Sequence, residues 1–333
     1  MYVNQVVILH SEVSSDASPD NLDVLKEVST VSSALKQLGY SPLPLAFITD
    51  YEEVMDELKR IRPEFVFNVV EEINGNATLA YLAPMMLEGL NIPYTGSSTK
   101  TIIATSDKLK SKGIMRENSL PTPKWWTLEE LLARKEIEFP AIFKSIHEHA
   151  SIGLDETSVV FNPEQLYSQL PQREKMRGGC FLESYIEGRE FNFALLAGRR
   201  SRPEVLPPAE IRFYGYPEGK VKVLGYDAKW KEDTFEYQHT LRSFDFSPED
   251  APLLEKMRIL AQRCWTTFGL KGYARVDFRV DQNLQPWILE VNTNPCISAD
   301  AGLIAAAERA DYSHKKLMGR IIRDLNYRKQ RDP

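Results

Sequence analysis

The sequence predicts a mixed fold: an open parallel α/β domain over residues 1–100, followed by two α+β subdomains over 101–185 and 186–333. Three observations carry this. Apolar strand-like runs alternate with segments of helical period through the first hundred residues; that order gives way to mixed helices and strands; and the last part of the chain holds long runs in which polar and apolar residues alternate. With 333 residues and 43% hydrophobic content, the chain is long enough to bury a substantial core and to divide into two or three domains.

The first strand is VVILH (6–10). Val24, Leu25, Val28, Val31, Leu35 and Leu38 follow at helical spacing, and Gly39 supplies the stop. The order repeats with LPLAFI and YEEVMDELKRI, then FVFNVV and NATLAYLAPMMLEGL, then the short strand IPYTG. From 101 the sequence predicts one helix over TIIATSDKLKSKGIMREN, the turn LPTP, a helix near LEELLAR, and strands at PAIFKSI, TSVVF and GCFLESYI. The first of these strands runs into HEHASIG, a small polar stretch bounded by Gly153. After about 186, FNFALLAG, KVLGYDAKW, YARVDFRV and PWILEVN are expected as strands of an antiparallel sheet, with the apolar helix LLEKMRILAQRCWTTFG packed on it.

Charge narrows the function classes. Lys and Arg total 41 against 47 Asp and Glu, a net charge of −6, so nothing draws the chain to nucleic acid or to an anionic membrane. Cys180, Cys264 and Cys296 are widely spaced and odd in number, which suits a reducing compartment, and the cytoplasm is the expectation. The start, MYVNQVVILHSEVSS, lacks the basic flank of a signal peptide, and no run reaches the ~20 apolar residues a membrane helix requires.

Two strands carry the chemistry. In YARVDFRV, Arg275, Asp277 and Arg279 share one face and Val276 and Phe278 the other; in PWILEVN, Glu290 and Asn292 share a face although their neighbours are apolar. A lone Asp277 is as well explained by a solvated strand face. If the two strands are neighbours through the turn DQNLQP, Asp277, Glu290 and Asn292 converge as three oxygen donors, a set suited to Mg²⁺, with Mn²⁺ as the alternative.

ARVDFRVDQNLQPWILEVNTNP resembles the metal-binding end of the ATP-grasp fold, in particular its D-alanine:D-alanine ligase branch, with an R-x-D strand followed by an L-E-x-N-x-x-P strand. FNVVEEINGN, GLNIPYTGSS, TSDKLKSKGIMRENSLPTP and FLESYIEGREFNFALL resemble further family segments in the same order, so the similarity covers nearly the whole chain. The resemblance implies ATP as cosubstrate. It makes Lys108 and Lys144 the lysines that hold its phosphates, Ser184 and Ile186 backbone partners of adenine, and Glu190 the acceptor for ribose hydroxyls, with Glu183 in the same nucleotide-binding set. Ser151 and Gly153 become the tip of a loop that closes over the phosphates, Lys229 a contact to the transferring phosphate, and Arg275 a stabiliser of that group or of a later oxyanion. The bland alternatives are a solvated helix lysine for Lys108, with Lys110 and Lys112 nearby, and a charged turn for Glu183, Glu187 and Glu190. Lys144 follows the apolar PAIF, where a charge needs a reason. His147 and His149 lack HExxH spacing and are expected in a mobile polar loop; Cys296 has no base to activate it and is expected as packing.

The activity implied is an ATP-dependent carboxylate–amine ligase working through an acyl phosphate on a small-molecule acid and amine, an amino acid or small peptide, with a homodimer as the candidate assembly. A small-molecule kinase on the same fold and a non-catalytic nucleotide-binding regulator are the alternatives. Synthesis of D-alanyl-D-alanine is not expected. The family's early glycine-rich G-G-x-S-x-E-x-x-V-S segment is missing, its loop serine is replaced by Ala150, its tyrosine by Trp230, and a serine that meets the second substrate's carboxylate by Ala301. Glu71, Glu72, Arg242 and Asp300 are candidates to present charge to a different, larger amino substrate, with a solvated loop residue the equal alternative for each.

Overall fold

The computed structural model describes residues 4–13, 18–148, 151, 153–176, 178–198 and 202–329. β1 (Gln5–Ser11), α1 (Pro19–Gln37), β2 (Ser41–Phe47), α2 (Tyr51–Ile61) and β3 (Val66–Val69) build a parallel sheet of order β2-β1-β3. Val6 to Leu9 are wholly buried because helices cover both faces of this sheet, which is why VVILH does not alternate. After α3 (Leu82–Gly89), IPYTG joins the sheet through a single bridge, Val66 to Tyr94, rather than as a strand.

The helix expected over 101–118 is two helices, α4 (Thr99–Ser106) and α5 (Lys108–Glu117). Asp107 breaks it: its backbone is extended, and its carboxylate caps α5 by accepting from the Lys110 N–H at 3.0 Å. β4 (Trp125–Thr127), α6 (Leu128–Leu132), β5 (Ala141–Ser145), β6 (Val159–Val160), α7 (Pro163–Arg173) and β7 (Cys180–Ser184) follow, with an antiparallel sheet of order β4-β7-β5-β6.

The third sheet takes β8 (Arg189–Leu196), β9 (Glu204–Val205) and β10 (Ala209–Phe213). Beyond α8 (Tyr226–Trp230) and α9 (Phe235–His239) come β11 (Thr240–Ser243), α10 (Ala251–Phe268), β12 (Tyr273–Val280) and β13 (Pro286–Asn292). Its order is β11-β10-β8-β12-β13, with β9 on β8. KVLGYDAKW is therefore not a strand: it runs as a loop into α8, whose start at Gly225 presses on the Leu154 carbonyl. The places expected for it in the sheet belong to β10 and β11. One face of this sheet, with Phe191, Phe193, Val276, Phe278, Ile288 and Val291, packs on Met257, Ala261 and Cys264 of α10. α11 (Gly302–Arg309) and α12 (His314–Lys329) return to the first sheet, so that Val6, Ile8 and Val31 share one core with Leu303, Leu317 and Ile321.

Candidate active site

The opposite face of the third sheet is polar for a reason of register. Asp277 stands across from Asn192 on one side and Glu290 on the other; Arg275 faces Asn292, and Arg279 faces Glu190. Directly opposed residues share a face, so β8, β12 and β13 together present Glu190, Asn192, Arg275, Asp277, Arg279, Glu290 and Asn292 on one surface. A bulge makes this fit. Phe278 pairs with Ile288 while Asp277 pairs with Glu290, leaving Leu289 as the extra residue that brings Glu290 and Asn292 onto the polar side.

Arg275 clasps Asp277 through two bonds, Nε to Oδ1 at 2.7 Å and Nη2 to Oδ2 at 2.8 Å. Asn192 donates to the same Asp277 Oδ1 at 2.7 Å. Burial works against the charge on Arg275, yet Asp277 and Glu290 outweigh it and hold its pKa above the ordinary value. Asn292 Oδ1 accepts from the Asn294 N–H at 2.9 Å, which fixes the amide. Among the described residues no three His, Cys, Asp or Glu side chains gather to hold a metal ion. The available set is two facing carboxylates and an amide oxygen, hard donors that fit a cation such as Mg²⁺ completing its shell with water and phosphate oxygens.

The lysines meet this face from the second sheet and from α5. Lys144 donates to Glu183 Oε1 at 2.6 Å, and Lys112 pairs with the other oxygen of the same carboxylate while also donating to Thr122 Oγ1 at 2.8 Å. Glu183 and Lys112 are each 1% exposed in their side chains, which overturns the charged-turn alternative for Glu183. Burial alone would raise the Glu183 pKa; the two ammonium groups together hold it below the usual value. Burial presses Lys112 down to about 8. Lys108 is half-buried and held: its ammonium donates to the Glu148 carbonyl at 2.6 Å. Its pKa falls through burial first, with Glu290, Glu148 and Glu183 opposing and Lys144 adding to the fall.

Lys229, on α8, joins the same charge field. Its pKa is lowered by burial and then by Arg275, against the pull of Asp277, Glu290 and Glu190, although its side chain keeps some solvent contact. The loop after β5 docks on the segment that leads to it: Ser151 Oγ donates to the Leu224 carbonyl at 2.7 Å, and the Tyr226 N–H donates to the Leu154 carbonyl at 3.2 Å. Gly153 lies at φ +71°. His149 and Ala150, expected in this loop, lie outside the described residues.

Glu190 is ion-paired with Arg279 at 2.8 Å, beside Tyr185 and Phe213. The Ser184 N–H already goes to the Lys124 carbonyl at 2.8 Å, and the Ile186 carbonyl lies 3.5 Å from Arg279 Nη1. Cys296 donates to Asp23 Oδ2 at 3.1 Å, and burial pushes its thiol far up, so it is packed and unreactive. Sequence reasoning missed Asn192 and Lys112. Asn192 carried a usable signal, a lone amide between Phe191 and Phe193; Lys112 carried none beyond a lysine-rich helix.

A family model described as D-ala D-ala ligase C-terminus matches residues 114–323. The chain belongs to the D-alanine–D-alanine ligase-like family of ATP-grasp proteins. It is 30% identical over 302 residues to the D-alanine–D-alanine ligase of Aquifex aeolicus, covering 90% of this chain and 94% of that protein. It is also 30% identical over 310 residues to the uncharacterised protein y4sG of Sinorhizobium fredii, covering 90% of this chain and 87% of that one. In fold it is similar to the Bacillus anthracis D-alanine–D-alanine ligase complexed with ATP, at TM-score 0.73 and 21% identity over 99% of this chain and 100% of that chain. The Enterococcus faecalis VanG D-Ala:D-Ser ligase also gives TM-score 0.73, at 15% identity over 97% of this chain and 99% of that chain. Membership makes the chain an ATP-dependent carbon–nitrogen ligase.

Proposed function

We propose that this ligase joins the carboxylate of one small molecule to the amine of another, an amino acid or small peptide, through an acyl phosphate formed with ATP. The observation that carries this reading is the strand register that puts Arg275, Asp277, Glu290 and Asn292 on one sheet face, with Lys229 of α8 and Lys108 of α5 close enough to feel those charges. A carboxylate oxygen attacks the γ-phosphorus, ADP leaves, the amine nitrogen attacks the acyl carbon, and phosphate departs as the nitrogen loses its proton. Lys108 and Lys144 hold the phosphates, and Lys229 and Arg275 offset charge on the moving phosphoryl group. Asp277, Glu290 and Asn292 hold Mg²⁺, which when bound supplies Lewis acidity to the phosphate oxygens. Ser151 and Gly153 close over the site and keep water from the acyl phosphate. Ser184 and Ile186 meet adenine through backbone groups, and Glu190 turns from Arg279 toward the ribose. Residues 1–100, 101–185 and 186–333 act as a leading domain and two jaws around the nucleotide, in the cytoplasm.

The test is phosphate release from ATP and magnesium across a panel of amino acids and dipeptides, alone and in pairs. Release that needs both an acid and an amine supports the reading; release with a single hydroxyl-bearing compound would replace it with a kinase.

A further inference from the structure

Glu183 carries two cations, and only one of them is free to leave. Its Oε1 accepts from Lys144 at 2.6 Å, and its Oε2 meets the ammonium of Lys112. The two lysines are held very differently. Lys144 keeps 18% of its side chain exposed, whereas Lys112 keeps 1%. Lys112 also donates to Thr122 Oγ1 at 2.8 Å, and that hydroxyl donates in turn to the Ile288 carbonyl at 2.9 Å. The Ile288 N–H donates to the Pro121 carbonyl at 2.8 Å, so the turn that grips Lys112 is bonded twice to β13, the strand of Glu290 and Asn292. The Trp125 ring lies 5.8 Å from the same ammonium and covers it.

The helix explains why these lysines divide their work. Lys108 and Lys112 stand four residues apart on α5 and so share a face. Lys108 reaches the Glu148 carbonyl, while Lys112 turns inward to the carboxylate. Burial opposes the charge on Glu183, and Lys112, ahead of Lys144, restores it. A carboxylate this deeply buried is strongly destabilised when stripped of its last partner. Lys144 cannot give its ammonium to a phosphate unless another cation stays on Glu183.

We infer that Lys112 is a positioning residue for nucleotide binding: it remains on Glu183 as a fixed counter-ion, so that Lys144 can move from that carboxylate to the phosphates of ATP. This rests on the reading above that Lys144 holds phosphates. Without Lys112, Glu183 has Lys144 as its sole ammonium and retains it.

The experiment measures Kd for ATP with magnesium and for adenosine on the full chain, by displacement of a fluorescent ATP analogue. Adenosine fills the base and sugar site and offers Lys144 no phosphate. Lys112→Met should raise the Kd of ATP about ten- to a hundredfold, the range of a lost charge-assisted bond, and leave that of adenosine unchanged. Lys112→Gln keeps a donor for Glu183 and Thr122 without the charge; it should show the same selective loss, and it decides the matter where Lys112→Met does not fold. Lys112→Met combined with Glu183→Gln leaves no carboxylate to retain Lys144, so the Kd of ATP should return toward wild type, a recovery that a purely structural part for Lys112 would not give. Equal losses for ATP and adenosine, an unchanged ATP Kd in the single variants, or no recovery in the double variant would each overturn the inference. Lys144→Met tests the reading beneath it and should weaken ATP alone. If it leaves ATP unchanged, Lys144 does not hold the phosphates and the inference falls with that assignment; if it weakens ATP while Lys112→Met and Lys112→Gln do not, the inference alone falls.

Discussion

Glu183 holds two ammonium groups at once, Lys112 and Lys144, while only 1% exposed. Its removal would leave two buried positive charges facing each other, so Glu183→Gln should cost on the order of 3–5 kcal/mol in urea unfolding. Adding Lys112→Met should recover part of that loss, because it removes the charge left without a partner; no recovery would show the two are not coupled. The pH dependence follows in sign. Lys112 sits at about 8 in the folded protein, below the ~10.4 of an unfolded lysine. The unfolded chain therefore binds the proton more tightly between those values, and stability contributed by Lys112 is gained as pH rises through the folded pKa and lost as it falls. Without Glu183 the folded pKa drops further, so the stability of Glu183→Gln should climb over a wider window, beginning below pH 8. Glu290→Gln and Asn292→Ala act on another quantity. Both lie on the polar face and leave the α10 side of the sheet intact, so they should abolish magnesium-dependent phosphate release while far-UV circular dichroism stays that of wild type. Near-normal rates in both would remove the metal assignment.

At the level of elements, the contact between the loop after β5 and the start of α8 invites a direct probe. A Cβ on Gly225 would meet the Leu154 carbonyl at 2.6 Å, a backbone atom that cannot swing aside. Gly225→Ala should push the loop and α8 apart and displace Lys229. An ångström of misplacement at a reacting centre costs about a hundredfold, so kcat should fall by roughly ten- to a hundredfold with little change in overall secondary structure. A rate equal to wild type would mean that Lys229 is not held by this contact. The same elements show what a sequence can carry. Alternation along YARVDFRV and PWILEVN was enough to place their polar residues on one face, because period-2 patterning is local. The bulge at Leu289 was not readable, since it depends on how β12 pairs with its neighbour. Nor was the break at Asp107, because apolar spacing runs on across it and the cap that ends the helix is a matter of one carboxylate. KVLGYDAKW, expected as a strand, is a turn into α8, because its Gly225 and the loop packed on it decide its path. Lys112 was hidden for a different reason: burial of a lysine on a charged helix depends on a glutamate 71 positions away.

Over the whole molecule, α1 and the end of β3 meet the turn after β13. Ile297 N–H donates to Glu27 Oε1 at 3.0 Å, Ser298 Oγ to Asp23 Oδ2 at 3.1 Å, and Asn294 Nδ2 to the Val70 carbonyl at 3.2 Å. These bonds tie the beginning of the chain to the turn after β13, and they occupy the carboxylates of Asp23 and Glu27. Burial, and then the nearby charge of Glu71, raise the Glu27 pKa well above its usual value, which weakens it further as a partner for a substrate ammonium. Ala301 offers no hydroxyl at the N-cap of α11, and Trp230 ends α8 with an indole N–H that donates but cannot accept. Relatives at 30% identity that are D-alanine–D-alanine ligases share the fold, but substrate choice rests on a handful of such groups. A site that lacks two or three partners for a small zwitterion forfeits about 1–3 kcal/mol for each unmade bond. D-alanine as sole amino substrate should therefore support phosphate release at a kcat/KM at least on the order of a hundredfold below that of the best acid and amine pair. The measurement is a D-alanine titration through the millimolar range beside that pair, with dipeptide product followed by mass spectrometry. Efficient condensation at or below millimolar D-alanine would show that the missing groups have been replaced by others.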